Sequence, residues 1–275
     1  MKNYTRSILP LLLVVTLFQS SCKSYLLPAA LGTNMSYQPK PMVIDSTRSL
    51  TYASGGIALS MSPGKSVRYS AGMININRAH TYKSINFAYG LMGYYGSASY
   101  DELSYDSIPS NKQLVPSFKM STGGVGLKTS IGYHFTSQKG NTDFRIINWE
   151  NSFSKELGNY AKFRKEIYRN AAQYYKNGVS DLINVWTTGL STEIIWSNKN
   201  DPETKHAFRY FVGYTYGLKD SFLESADKSL FELDTEILDQ AITINYFHQY
   251  KKFSMNFELG VNNKVGTKIT MGYVL

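Results

Sequence analysis

From Leu50 to the end of the chain, apolar residues fall at every second position over long stretches. The clearest run is Val125, Leu127, Thr129, Ile131, Tyr133 and Phe135, interleaved with Gly124, Gly126, Lys128, Ser130, Gly132 and His134. Successive strand side chains point to opposite faces, so such a run divides an apolar side from a wet one. The pattern returns at 85–91, 186–196, 208–218, 253–261 and 269–275, and less cleanly at 51–61, 67–79, 143–153 and 236–250. The runs predict about ten strands, most reaching the ~9–11 residues of a tilted membrane strand rather than the usual five or six of a soluble sheet. Leu127, Ile131, Leu190, Tyr214 and Leu259 are expected on the outward face. Trp186 and Trp196 bracket one apolar face, as interfacial aromatic girdles do.

The connections alternate in length. With the N-terminus on the periplasmic side, the outer ones are about 62–66, 99–117, 154–181, 220–235 and 263–266, three of them long. The inner ones, about 80–83, 136–142, 198–205 and 250–252, are short. Membrane barrels show this asymmetry. The chain ends inside a strand, so the last strand can pair with the first and leave no edge for lipid to meet. Residues 155–177 interrupt the alternation. Leu157, Tyr160, Ile167, Tyr168, Ala171 and Tyr175 fit a helical stripe there, and Gly178 follows as a stop.

From about residue 50 onward the chain resembles an outer-membrane β-barrel protein of Gram-negative bacteria. Its terminal Gly272-Tyr273-Val274-Leu275 is similar to the assembly signal of that family, which usually ends in Phe or Trp where this chain has Leu275. The resemblance implies an all-β fold, a closed antiparallel transmembrane β-barrel of about ten strands with one helix in an outer loop. It implies a place in the cell outer membrane and gives no activity.

Composition sharpens this picture. Aromatics make up 14% of the residues and charged side chains 18%, the latter below the ~25% of soluble domains. The longest apolar stretch, 8–18, is too short for the ~20 residues of a spanning helix, so any crossing is made by strands. The net charge of +9 has no Lys/Arg cluster beside a recognition motif, so nucleic acid is not an expected partner. Outer-membrane lipid is, with a protein partner at the outer loops as the second class. Lys2 and Arg6, the apolar 8–18 and the small residues after it describe a secretory signal, placing a signal peptide at 1–21, an extended N-terminal leader at 22–49 and the barrel at 50–275. Cys22 is the only cysteine. Ser20-Ser21-Cys22 resembles the lipobox of bacterial lipoproteins, which implies lipidation of Cys22; Gln19 stands where that family usually has Leu. The leader is either a linker from the lipid or a segment tucked into the barrel.

Lys128, Glu193, Arg209, Lys219, Glu258 and Lys268 fall on the polar faces of their strands and are expected to form a lumen charge network, because buried charges must pair or stay hydrated. Lys162, Arg164, Lys165 and Arg169 make the 155–177 helix basic and are candidates for contact with anionic lipid head groups. His134, Thr136 and Asn141 resemble the His, Ser and Asn of outer-membrane phospholipase A only loosely, with Thr in place of Ser. The remaining histidines have no metal-ligand spacing. The expectation is therefore no catalytic residues, no metal and no cofactor. The function expected is a non-enzymatic structural, binding or accessory barrel presenting long outer loops, with a narrow pore for a small solute as the alternative.

Overall fold

The computed structural model describes residues 24–42, 45, 48–62, 67–101, 110–138, 140–174, 177–198, 201, 203–224 and 239–275. Residues 1–23, with the expected signal peptide and Cys22, lie outside the described residues. The elements begin with β1 (Ser24–Leu26), β2 (Ser49–Met61), β3 (Val67–Tyr82), β4 (Ile85–Tyr100), β5 (Phe118–Thr136) and β6 (Thr142–Leu157). The helix α1 (Asn159–Arg169) and the strands β7 (Asn177–Ser180), β8 (Asn184–Ser197) and β9 (Thr204–Thr215) follow. The chain closes with β10 (Phe222–Glu224), β11 (Gln240–Tyr250), β12 (Phe253–Val261) and β13 (Val265–Val274).

Ten of these strands form a closed antiparallel barrel in the order β2-β3-β4-β5-β6-β8-β9-β11-β12-β13. The seam joins β13 to β2, with Ile269 opposite Ile57 and Val265 opposite Met61. One end carries short turns at 83–84, 137–141, 198–203 and 251–252; the other carries the long connections at 101–117, 158–183 and 216–239. These are called the turn end and the loop end below. Leu127, Ile131, Leu190, Tyr214 and Leu259 all face outward, as the alternation requires.

The outward face is an apolar band of side chains that a soluble protein would bury: Ile74 is 70% exposed and Leu91 57%. Exposed Tyr82, Tyr133, Phe135, Tyr250, Phe253 and Tyr273 ring the turn end. Tyr95, Trp186, Tyr214 and Tyr216 are exposed towards the loop end. Trp186 and Trp196 lie ten residues apart on β8. At a rise of about 3.3 Å per residue and a tilt near 40°, that separation gives a height of about 25 Å, the height of the apolar band of outer-membrane barrels.

Towards the loop end β3, β4 and β5 exchange the polarity of their faces without changing their pleat. Outward Arg68, Ser70 and Lys119 are exposed, while inward Val67, Tyr69, Ala98, Tyr100 and Phe118 are buried. There the barrel wall becomes an ordinary sheet in water, wrapped around an apolar core that includes Tyr160, Ile167, Val179 and Leu26. The helix enters this cap. Its first turn begins at Asn159, later than the sequence stripe suggests, because 155–157 still belong to β6 and Leu157 faces outward.

The leader is tucked into the barrel. Every residue from 25 to 42 is buried. The chain starts at the loop end, where β1 pairs in parallel with β7, itself antiparallel to β10, and both partners belong to long connections. It reaches the turn end at Pro41, whose carbonyl oxygen accepts from Thr81 Oγ1 at 2.7 Å. β2 then begins the wall. At Gly32 (φ 80°) the plug backbone presses against the rung Gly260–Gly266; a Cβ on Gly260 would stand 2.1 Å from the Gly32 carbonyl oxygen. Glycine is the only residue that permits that approach.

Candidate functional site

The site is the lumen, its plug and its cap, fastened at three levels. At the loop end Glu156 of β6 takes Arg164 of α1 as an ion-pair partner at 2.5 Å and accepts from Ala29 N at 3.2 Å and Thr122 Oγ1 at 3.3 Å. Arg164 also donates to the carbonyl oxygens of Ser180 and, at 2.8 Å, Leu182. Burial disfavours its charge, but Glu156, Tyr160 and Tyr69 together overcome that and raise its pKa. Tyr69 and Tyr160 hydroxyls lie 2.7 Å apart and both reach the Leu27 carbonyl oxygen, at 3.1 and 3.0 Å. Lys264, in the turn between β12 and β13, donates to the carbonyl oxygens of Pro28 (3.0 Å) and Ala29 (2.8 Å) and sits 3.3 Å from the Tyr69 ring centroid. Burial pushes its pKa well down; Glu156 opposes the shift and Arg164 adds to it.

At mid-lumen the plug is held by wall charges. Lys268 pairs with Glu258 at 2.6 Å and donates to the Thr33 carbonyl oxygen at 2.9 Å and to Ser36 Oγ. Arg209 pairs with Glu150 at 2.5 Å and donates to Asn245 Oδ1 at 2.6 Å. Asn245 in turn donates to Glu258 Oε2 at 2.7 Å, which ties the two pairs into one network. Asn34 docks on one rung of the wall, donating to Thr187 Oγ1 of β8 at 2.8 Å while its carbonyl oxygen accepts from Ser152 Oγ, opposite Thr187 on β6, at 2.9 Å.

At the turn end Glu193 receives Tyr37 OH and pairs with Lys40 at 3.3 Å and Arg145 at 3.8 Å. Arg145 donates to the Pro41 carbonyl oxygen at 2.8 Å. Asp45 then takes Lys205 at 2.5 Å. Tyr37 and Met42 pack with Tyr52, Ile195, Ala207 and Phe247. Carboxylates buried with this many donors are satisfied, and removing one partner strands a charge.

Of the residues expected in the lumen network, Glu193, Arg209, Glu258 and Lys268 belong to it, and inward-facing Lys128 donates to Asn75 Oδ1 at 3.2 Å. Lys219 does not: β9 ends at Thr215, and Lys219 is exposed in the following turn at the loop end. Among the head-group candidates, Lys162, Lys165 and Arg169 are exposed on α1. Arg164 is corrected: it is fully buried, turned inward by its pairing with Glu156. The alternation at 143–153 concealed Arg145 and Glu150 because β6 bulges between Arg145 and Asn148. Ile146 and Ile147 both face outward there, so inward positions change from odd to even numbers. Lys40, Glu156 and Lys264 lay outside the alternating runs.

His134 and Thr136 do not bond to each other; Thr136 Oγ1 donates to Asp143 Oδ1 at 2.8 Å, and His134 faces the lumen. Among the described residues no three His, Cys, Asp or Glu side chains are grouped to hold a metal ion.

No family model matches the chain, and no curated protein does. Solved structures similar to it include three barrel proteins. Neisserial surface protein A is 10% identical with a TM-score of 0.36, over 83% of this chain and 97% of that one. The COG4313 outer membrane channel from Pseudomonas putida F1 is 8% identical with a TM-score of 0.40, over 87% and 100%. The translocator domain of autotransporter NalP from Neisseria meningitidis is 8% identical with a TM-score of 0.36, over 84% and 89%. At these values they carry no statement about activity.

Proposed function

We propose that the chain is a non-enzymatic β-barrel of the Gram-negative outer membrane, shut by its own N-terminal segment and working through the cap at its loop end. The observation that carries this reading is the unbroken burial of residues 25–42 inside the barrel, fastened at both ends and in the middle. Ten strands leave a narrow bore, whereas channel-forming porins use about sixteen to eighteen, and here the bore is filled by chain. The apolar band between two aromatic rings supports the membrane placement. The long connections, held by a rigid wall, are the natural surface for a protein partner. Reconstituted in planar bilayers, the intact protein is expected to give no stable single-channel steps.

One observation favours the alternative of a narrow pore. The side chains of Asn86 and Asn148 face the lumen, are buried, and have no hydrogen-bonding partner among the described residues. Buried polar groups of this kind take water, which supports a wet flank beside the plug. Stable, ion-selective steps from the intact protein would replace the closed reading with the pore.

The anchoring belongs to the same proposal. The mature chain begins at Cys22, acylated, and Lys162, Lys165 and Arg169 on the exposed face of α1 meet anionic lipid head groups. Mass spectrometry of the mature N-terminus tests the first part: an unmodified chain starting beyond residue 22 retires it. Binding to vesicles rich in anionic lipid tests the second. The variant with all three basic residues changed to Gln is expected to bind more weakly and with less salt dependence.

A further inference from the structure

We infer that the barrel carries its own N-terminal end across the membrane, so that the chain preceding Ser24 emerges on the side of the long loops, opposite the start of β2 and the C-terminus. Three observations place it there. β1 is a strand of a small sheet whose other members, β7 and β10, lie in the 158–183 and 216–239 connections. Leu27, Pro28 and Ala29 are gripped by Tyr160, Lys264 and Glu156, all at the loop end. The following residues run the length of the lumen, and Pro41 meets Thr81 and Arg145 at the turn end before β2 starts.

The geometry fixes where anything attached just before Ser24 must act. Two residues of extended chain reach at most ~7 Å, while the hydrocarbon core is ~30 Å thick. Acyl chains on a lipidated Cys22 would therefore enter the leaflet on the loop side, which is the outer leaflet if the long loops face outward. A lipoprotein held from within the periplasm would have the opposite arrangement. The inference rests on the barrel spanning a membrane, and the lipidation is not needed for it.

The test uses the full chain in cells with one short epitope inserted at a time: between residues 23 and 24, within 102–109, or between 251 and 252. Antibody labelling is compared on intact and permeabilised cells. The 23/24 and 102–109 epitopes are expected to label alike and the 251/252 epitope oppositely. If the 23/24 epitope labels with the 251/252 epitope instead, the inference is overturned. If all three label alike, the barrel does not span and the proposed function falls. If the first two label together but only after permeabilisation, the threading stands and the outward direction of the loops is reversed. A second variant guards against an insertion that disturbs folding. Leu26→Cys with Val179→Cys joins residues that are in register on β1 and β7. Oxidation is expected to crosslink them in the folded barrel, and a folded barrel that fails to crosslink overturns the inference equally.

Discussion

Glu156 and Arg164 are each buried with the other as their only opposite charge at bonding distance among the described residues. Removing one leaves the other stranded, a loss of about 3–5 kcal/mol for a buried pair. Glu156→Gln and Arg164→Met are each expected to lower the temperature at which the barrel loses its heat-resistant gel mobility. The double variant should lose less than the sum of the two, and strictly additive losses would count against the pair as the fastening of the cap. Gly260→Val is a second test at this scale, because its side chain would overlap the Gly32 carbonyl oxygen. The plug must shift, and protease cleavage within 25–42 is expected to become measurable in the folded variant. Residue positions were legible in the sequence wherever the pleat kept its count: Glu193, Arg209, Glu258 and Lys268 are inward as alternation requires. They were not legible past the bulge in β6, where one extra residue moves Glu150 to the other parity, nor for Lys219, whose strand had already ended.

At the scale of elements, a regular period and a uniform environment are separate requirements for reading a strand. β5 was plain because Val125 to Phe135 keeps one exposed apolar face outward and one lumen face inward throughout. β3 was less plain because its pleat runs from an apolar setting outside, at Ile74 and Ile76, to an apolar setting inside, at Val67 and Tyr69. The plug left almost no trace in sequence. Beyond β1 its backbone has no partner strand and turns at 29–33, and residues 25–42 are buried throughout, so it has no face to alternate. The closure of the wall without plug strands yields a prediction. Every wall strand pairs with two others without the plug, so a chain lacking residues 25–42 is expected to form a barrel, judged by heat-modifiable mobility, and to conduct ions through the lumen that Lys128, Glu150, Arg209 and Lys268 would then line. A folded, silent deletion would mean that wall side chains alone close the bore.

At the scale of the whole molecule, the outward surface should report where the bilayer lies. Leu190 sits between Trp186 and Trp196 in the apolar band, whereas Ser70 lies outward on the part of β3 that stands beyond it. Leu190→Arg is expected to cost about 2–4 kcal/mol of stability in lipid, the range for a cation at the bilayer midplane, and Ser70→Arg close to nothing. Denaturant titrations of the two variants in the same vesicles make the comparison, and equal costs would contradict the placement of the band.

The seam between β13 and β2 has a consequence in time. A tube whose wall is hydrogen-bonded all round admits nothing sideways once it is shut. Residues 25–42 run directly into β2, which is one lip of that seam, and its other lip lies some two hundred residues away at Ile269. Bringing such distant residues together carries the largest loop-closure cost in the chain, so the seam is the natural last step. The segment must already rest along the inner face of the growing sheet when the lips meet. Filling and closing are thus one event, and the order of synthesis, with the filling made first and the final lip last, matches the order of assembly.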